Sequence, residues 1–390
     1  MQNFVFHNPT KIIFGRNTVP AIGKETLQAG KRALLVYGKK SFYETGLYST
    51  VTSSLSDAGV HFMEHGGVSS NPLLSHVRDG ITKVRQHNLD VVVAAGGGSV
   101  IDTAKAIGAG SVVEHDVWKF FTGKKSIKGT LPVVTILTLA AAGSEMNSGM
   151  VITNDDTKEK FGFGNRRLYP LTSILDPETT FSVPPDYTAY GAIDAIAHVI
   201  EFYMTCEDPD TPVQNTLMEG LIKNSFASCE RCLANPHDYG GRANLMWTAT
   251  LALNGLTAAG LGRVGFPMHM IEHSLSALYD IPHGAGLSVI LPGWLTWYSQ
   301  KNPARIAHLG RQIFPKQDLQ RYNDNETALK TITFLKNWFI KINGPVTLEE
   351  VGIPQQDIAS IADNALALAK IWRLKQYSHQ RIEQILHLCT

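Results

Sequence analysis

The 390-residue chain has few cysteines and no excess of either charge. Its four cysteines argue against a disulfide scaffold. The one C-x-x-C, at Cys229 and Cys232, has no second pair and no redox context, so we interpret these thiols as incidental. Lys and Arg total 35 against 34 Asp and Glu, so the basic surplus that phosphate binding needs is missing. The composition therefore argues against nucleic acid as a partner.

No segment is apolar enough to predict a membrane span. The first 16 residues lack the apolar core and the small-residue cleavage site of a secretory signal. The longest uncharged run, 243–262, contains polar residues and three glycines, which is unfavourable in a membrane helix. We interpret it as a helix buried in a helical domain, and we expect a cytoplasmic protein with no membrane partner.

Apolar residues are plentiful, at 44% of the chain, whereas charged residues reach only 18%, below the usual share of about 25%. Such a chain can build large cores, which excludes intrinsic disorder. At roughly 150 residues per domain, its length predicts two or three domains. The low charged fraction leaves little surface to solvate, so we also expect a homodimer.

The first part of the chain alternates between apolar runs and helix-like segments. Strands are predicted at 33–37, 61–64, 90–95 and 133–139, and helices at 47–58, 73–87 and 99–108. The run at 33–37 is apolar throughout, as expected of a parallel strand buried on both faces. This alternation predicts βαβ units and a parallel sheet, in an α/β domain of residues 1–185.

Strand-like runs almost vanish beyond the double proline at Pro184 and Pro185. Residues 186–390 predict long helices separated by short breaks at 235–236, 281–284, 292–293 and 344–345. The expected architecture is therefore an α/β domain followed by an all-helical domain. The cleft between two such domains is a common site for a ligand.

Three glycines and a serine, Gly96, Gly97, Gly98 and Ser99, follow the strand predicted at 90–95. Glycines let backbone N–H groups approach a ligand closely, and the next helix directs its positive end to the same place. Ser99 can cap that helix and donate to a phosphate. The spacing matches neither standard nucleotide fingerprint, so a tight strand-to-helix turn is the alternative to a pyrophosphate site.

The helical half carries two polar pairs at helical spacing and one further histidine. Asp194 and His198 share one face of a helix, as do His269 and His273, and His283 follows a predicted break. One Asp and three or four His suit a divalent transition metal. A lone pair would be more simply a surface pair or a core histidine with a partner. Two pairs and His283 in one domain favour a metal site.

Four segments together resemble the iron-containing, or group III, alcohol dehydrogenases. They are GGGSVIDTAK from residue 96, TLAAAGSE from residue 138, D-x-x-x-H at 194–198 and H-x-x-x-H-x9-H-G from residue 269. They follow the family's order and span essentially the whole chain. Within the family, the likeness is greatest to butanol dehydrogenase-like, NADP-dependent aldehyde reductases. The resemblance implies a Rossmann-like dinucleotide-binding domain followed by an all-helical metal-binding domain.

The same resemblance implies roles for individual residues. Asp194, His198, His269 and His283 correspond to metal ligands. His273 corresponds to a histidine beside the nicotinamide that can relay a proton, and it would complete the catalytic centre. The implied cofactor contacts are Asn71, Gly97, Gly98, Ser99, Asp102, Thr138, Leu139, Ser144, Asn147 and Lys160. Ala142 replaces a threonine that is usual in the family, which puts one cofactor hydrogen bond in doubt.

The metal and the nicotinamide cofactor each leave a choice. The resemblance implies Fe²⁺, with Zn²⁺ as the alternative, because one Asp and three His accept several divalent ions. Lys39, Lys40 and Ser41 follow Gly38, and no acidic residue is near to bind the ribose hydroxyls. We therefore predict that these residues select NADP(H), with NAD(H) as the alternative if the two lysines form only a solvated turn.

The predicted reaction is hydride transfer between the nicotinamide and a small aliphatic primary alcohol or aldehyde, such as butanol or butanal. A metal with an open position would polarise the substrate oxygen. The alternatives are a glycerol dehydrogenase-like or dehydroquinate synthase-like metal enzyme using NAD, and a non-catalytic metal or nucleotide binder. The segment from His269 to His283 has few of the cationic side chains that a phosphorylated acid requires.

Overall fold

The strands of the protein all lie in its N-terminal part. A computed structural model describes all 390 residues. This part comprises β1 (Lys11–Phe14), α1 (Ile22–Ala29), β2 (Arg32–Tyr37), α2 (Ser41–Glu44), α3 (Leu47–Asp57), β3 (His61–His65), α4 (Leu74–Gln86), β4 (Val91–Gly96), α5 (Gly98–Ser111), α6 (Trp118–Phe121), β5 (Val133–Leu137), β6 (Gly149–Asn154), β7 (Glu159–Gly164) and β8 (Thr172–Leu175). The four predicted strands are β2, β3, β4 and β5, which confirms the predicted α/β fold.

Six strands form one parallel sheet, in the order β1–β8–β5–β4–β2–β3. β4 and β5 are buried along their whole length because apolar cores lie on both faces of the sheet. β6 and β7 form a separate antiparallel hairpin. The sequence pattern does not predict β1, β6, β7 or β8, because they are short or mix polar with apolar residues.

Every element after β8 is helical. These are α7 (Pro185–Thr205), α8 (Pro212–Ala234), α9 (Tyr239–Ala252), α10 (Pro267–Tyr279), α11 (His283–Ser299), α12 (Pro303–Ile313), α13 (Asp324–Lys341), α14 (Ile358–Ile371) and α15 (His379–His387), together with short 3₁₀ turns. None of them is long and apolar enough to cross a membrane. The division into domains 1–185 and 186–390 stays a prediction.

Two local predictions in the helical part are wrong. α11 continues through Pro292, where a break was predicted at 292–293. A proline inside a helix costs about 3 kcal/mol, but α11 is buried throughout 284–295, and this packing outweighs the local cost. The run 243–262 is helical only as far as Ala252. Gly255 and Gly260 have φ angles of 93° and 79°, which a right-handed helix excludes.

The order of the strands creates a site for a ligand. β2 has β3 on one side and β4 on the other, so the connections after β2 and β4 run in opposite directions. In open parallel sheets, ligands bind at this switch point, beyond the carboxyl ends of the strands. Gly38 follows β2 and Gly97 follows β4 there. α7 packs close by, since a Cβ at Gly191 would lie 2.1 Å from the carbonyl oxygen of Ala140.

Candidate metal and nucleotide site

Three helices bring four predicted metal ligands to one point. Asp194 and His198 lie on α7, His269 on α10, and His283 at the start of α11. Oδ1 of Asp194 is 3.3 Å from Nδ1 of His198, 3.4 Å from Nε2 of His269 and 3.8 Å from Nε2 of His283. The first three side chains are buried, whereas that of His283 is 25% exposed. The group therefore has one open side.

Three of the four converging atoms have no hydrogen-bond partner. Asp194 Oδ1, His198 Nδ1 and His269 Nε2 are all buried and unpartnered. Buried polar atoms in proteins are almost always paired, so an unpaired set that faces one point calls for a ligand. A carboxylate oxygen and imidazole nitrogens are donors that divalent transition metals accept. The donor set thus fits a divalent cation.

Two fully buried glutamates hold the outer nitrogens of the histidines. Glu201 accepts from Nδ1 of His269, and Glu272 accepts from Nδ1 of His283. A carboxylate behind a metal-binding histidine fixes the orientation of the ring and makes it a better donor. The sequence interpretation did not include Glu201 or Glu272 in the site. Glu201 lies three residues after His198, and Glu272 lies three residues after His269. That spacing could have identified both glutamates.

Charge and burial set the protonation of the donors before any cation binds. Burial disfavours the charged form of Asp194, but the neighbouring imidazoles outweigh this and hold its pKa well below the usual value. Burial lowers the pKa of His198 to about 3. Burial also opposes protonation of His269, but Glu201 and Asp194 outweigh it and raise the pKa to about 10. Asp194 and His198 are thus in the protonation state that coordinates a cation, whereas His269 must release a proton when a cation binds.

His273 lies beside this group. Its ring centroid is 6.4 Å from that of His269 and 5.5 Å from that of His283. Its Nδ1 is buried and unpartnered, and burial, followed by the charge of Lys160, holds its pKa well below the usual value. Trp372 packs near the same ring, with centroids 5.5 Å apart. The predicted role of His273, as a proton relay beside the nicotinamide, stays a prediction.

The glycine segment begins α5 and meets the segment that follows β5. A Cβ at Gly97 would lie 3.2 Å from Cβ of Leu139, and one at Gly98 would lie 3.0 Å from Cβ of Ala142. The backbone N–H of Thr138 donates to the carbonyl of Gly96 at 3.1 Å. The two predicted cofactor-binding segments are thus adjacent, and glycine allows their close approach.

Asp102, Ser144 and Asn147, three of the predicted cofactor residues, form hydrogen bonds within the protein. Asp102 accepts from the Ser144 hydroxyl and, at 2.9 Å, from the backbone N–H of Val151. The fully buried Lys105 donates to Ser144 Oγ at 3.0 Å and to the side-chain and backbone oxygens of Asn147 at 3.2 and 3.0 Å. These side chains therefore join α5 to the segment before β6. Their predicted contact with the cofactor stays a prediction.

The predicted cofactor-selecting residues lie at the switch point. Lys39 and Lys40 are exposed between β2 and α2, and Ser41 is exposed at the start of α2. The nearby carboxylate of Glu64, on β3, accepts from the hydroxyls of Tyr37 and Tyr48 at 2.5 and 2.8 Å.

Three further predicted cofactor residues, Ser99, Asn71 and Lys160, also have contacts within the protein. Ser99 Oγ donates to the carbonyl of Ser70. Lys160 Nζ lies 3.0 Å from Asn71 Oδ1 and 4.0 Å from Glu272 Oε2. Lys160 thus connects Asn71, in the N-terminal part, to Glu272 in the helical part.

Comparison with known proteins agrees with this architecture. A family model described as iron-containing alcohol dehydrogenase matches residues 9–177. A second model, for the C-terminal part of the Fe-containing alcohol dehydrogenase family, matches residues 188–389. The chain belongs to the iron-containing alcohol dehydrogenase family. It is therefore an oxidoreductase, as the sequence resemblance predicted.

Individual relatives of this alcohol dehydrogenase match nearly all of it. A Bacillus subtilis protein named probable NADH-dependent butanol dehydrogenase 1 is 40% identical over 386 residues, 99% of each chain. The NADPH-dependent aldehyde reductase YqhD of Escherichia coli is 32% identical over 93% of this chain and 92% of its own. The crystal structure of NADH-dependent butanol dehydrogenase A from Thermotoga maritima superposes with a TM-score of 0.95 at 42% identity, covering 100% of this chain and 99% of that one.

Proposed function

We propose that the protein interconverts small aliphatic primary alcohols and aldehydes, of the butanol and butanal type, by hydride transfer with NADP(H). The observation that carries this proposal is the unpartnered donor set of Asp194, His198 and His269. It accompanies the glycine segment at the start of α5, which lies at the switch point of the sheet. The names of the relatives from Bacillus subtilis, Thermotoga maritima and Escherichia coli support the substrate class.

Each part of the site has a role in this proposal. A bound divalent cation would supply Lewis acidity toward the substrate oxygen, and the nicotinamide would accept or give the hydride. Asp194, His198, His269 and His283 would hold the cation. His273, kept neutral by burial, is available to take a proton from the substrate side. Gly97, Gly98 and Ser99 would bind the pyrophosphate through backbone N–H groups and the positive end of α5.

We propose Fe²⁺ as the cation, with Zn²⁺ as the alternative. The family to which the chain belongs is described as iron-containing. A set of one carboxylate and three imidazoles accepts either ion, so availability in the cell would decide between them. Metal analysis of protein purified without chelators would test this, and a sample with stoichiometric zinc and no iron would contradict the proposal.

We propose NADP(H) as the preferred cofactor, although the relatives are divided between NADH and NADPH. Lys39, Lys40 and Ser41 are exposed beyond β2 and could meet a 2′-phosphate. The carboxylate of Glu64, which could bind ribose hydroxyls, already accepts from two tyrosines. NAD(H) is the alternative.

The function is tested by following NADPH absorbance with butanal after the metal-free protein has been reconstituted with Fe²⁺. We expect turnover that needs both the metal and the aldehyde. Absence of turnover with a panel of aldehydes and alcohols, with either cofactor, would favour a non-catalytic binding protein.

We also propose a homodimer, formed through the β1 edge of the sheet. β1 pairs only with β8, and an unpaired strand edge is a template for another chain. Apolar side chains near this edge are exposed: Val5 is 95% exposed, Phe4 51%, Phe14 40% and Trp247 38%. Sedimentation should show a dimer that Val5→Asp converts to a folded monomer, and a monomeric wild-type protein would contradict the proposal. A cytoplasmic location stays a prediction.

A further inference from the structure

A closed ring of polar contacts joins the two parts of the chain behind His283. Asn71 Nδ2 donates to the carbonyl of Ile281 at 3.2 Å. Ser276 donates its single hydroxyl hydrogen to Glu272, and its Oγ lies 3.3 Å from the same Ile281 carbonyl. Lys160 Nζ lies 4.0 Å from Glu272 and donates to Asn71 Oδ1 at 3.0 Å. Because Glu272 also accepts from His283, the ring holds the carboxylate that orients this histidine.

Asn71 makes a second contact with the same segment. Its other amide hydrogen is donated to Oδ1 of Asp280 at 2.8 Å. Asp280 ends α10 with a φ of 53°, in the left-handed region, and it lies three residues before His283. Both donors of the Asn71 amide are therefore used, and the residue is only 3% exposed.

The location of Asn71 gives these contacts a consequence. It lies on the connection between β3 and α4. The preceding residue, Ser70, accepts a hydrogen bond at its backbone carbonyl from Ser99 of the glycine segment. A residue of the nucleotide-binding part thus fixes the segment that carries His283 in the helical part. Asn71 has no contact with any of the four metal ligands in this network, so its effect on them must pass through Glu272 and Asp280.

We propose that Asn71 is a positioning residue for the metal site, which holds His283 in place across the boundary between the two parts. The proposal rests on the proposed function, because that function makes His283 a ligand. It differs from the role that the sequence resemblance implies for Asn71, which is a contact with the cofactor.

The test is a titration of the metal-free, full-length protein with Co²⁺, followed by the visible absorption of the bound ion. Loss of groups behind metal ligands typically weakens metal binding by 10- to 100-fold. We expect Asn71→Ala to weaken Co²⁺ binding by roughly tenfold and to alter the spectrum. Asn71→Asp should weaken it as well, because it places a second carboxylate against Asp280.

The decisive variant is the exchanged pair, Asn71→Asp with Asp280→Asn. It restores the hydrogen bond between positions 71 and 280 with donor and acceptor reversed, but not the bond to the Ile281 carbonyl. Asparagine tolerates the left-handed conformation at position 280. We expect this pair to bind Co²⁺ much more tightly than Asn71→Asp alone. Ser69→Ala is the matched control, since it removes a hydroxyl that donates to the backbone carbonyl of Asn71 and leaves the ring intact.

Wild-type affinity and spectrum in Asn71→Ala would overturn the proposal. So would an exchanged pair that binds no better than Asn71→Asp while both proteins melt cooperatively. If the wild-type protein gives no saturable Co²⁺ spectrum, or His283→Ala gives the same spectrum as the wild type, the proposed function fails first and this proposal fails with it.

Discussion

The site has a metal side, formed by the predicted ligands in the helical part, and a nucleotide side, formed by the predicted cofactor contacts in the N-terminal part. The two sides satisfy their polar groups in different ways. On the metal side, the inner atoms of Asp194, His198 and His269 are unpartnered, and buried glutamates hold the outer nitrogens of His269 and His283. On the nucleotide side, three of the predicted polar contacts, Asp102, Ser144 and Asn147, are bonded to one another or to Lys105. We infer that side chains bind the metal, whereas backbone groups and the shape of the loop bind the cofactor.

This difference predicts the largest effect for loss of a metal-ligand side chain. Asp194→Asn should abolish metal binding and lower turnover at least about a thousandfold, because the Lewis acidity of the metal lowers the activation barrier by several kcal/mol. The measurements are metal content and NADPH oxidation with butanal. His387→Ala removes an exposed histidine of the same helical part and should have no effect. Full activity in Asp194→Asn would show that Asp194 is not a metal ligand.

A smaller effect is expected for the glutamates behind the ligands. Glu201→Gln keeps the shape of the side chain but weakens the charged hydrogen bond to His269, so metal affinity should fall by roughly 10- to 100-fold. Competition with a coloured chelator would measure this. Glu219→Gln is the matched control, because Glu219 is buried in the same part but binds Tyr203 rather than a ligand. Equal behaviour of the two variants would mean that Glu201 is only structural.

The nucleotide side should respond to a change of shape. A Cβ at Gly98 would lie 3.0 Å from Cβ of Ala142, so Gly98→Ala should displace the loop at a cost of about 1–3 kcal/mol. We expect a higher KM for NADPH and an unchanged affinity for the metal. Gly220→Ala, on α8, places its methyl group in open space and serves as the control. An unchanged KM in Gly98→Ala would contradict the inference that the shape of the loop binds the cofactor.

The smallest effect is expected at the exposed end of the nucleotide side. Lys39→Glu should lower kcat/KM for NADPH several-fold more than for NADH, and added salt should reduce the difference because the contact is exposed. Glu44→Lys, an exposed change of the opposite sign on α2, is the control for general charge effects. A clear preference of the wild-type protein for NADH would contradict the NADP(H) proposal outright.

Sequence reasoning was successful where short-range patterns carry the information. Apolar runs predicted β2, β4 and β5, because a strand buried on both faces is apolar in nearly every position. The i, i+4 spacing of Asp194 and His198 predicted that both lie on one helix face, and their atoms lie 3.3 Å apart. It was unsuccessful for β1 and β8, four-residue strands that form by pairing with each other across the chain.

The sequence by itself determined the type of the buried strands and most helices, the glycine segment at the start of α5, and the residue types of the metal group. Each of these depends on a local period or a short motif. Only the tertiary structure decided which partners stand behind those residues. Glu201 meets His269 across 68 positions of the chain, and Asn71 meets Ile281 across 210. Spacing in a sequence carries no such contact, since packing of distant elements brings the atoms together. For the same reason, burial of α11 overrode the local cost of Pro292.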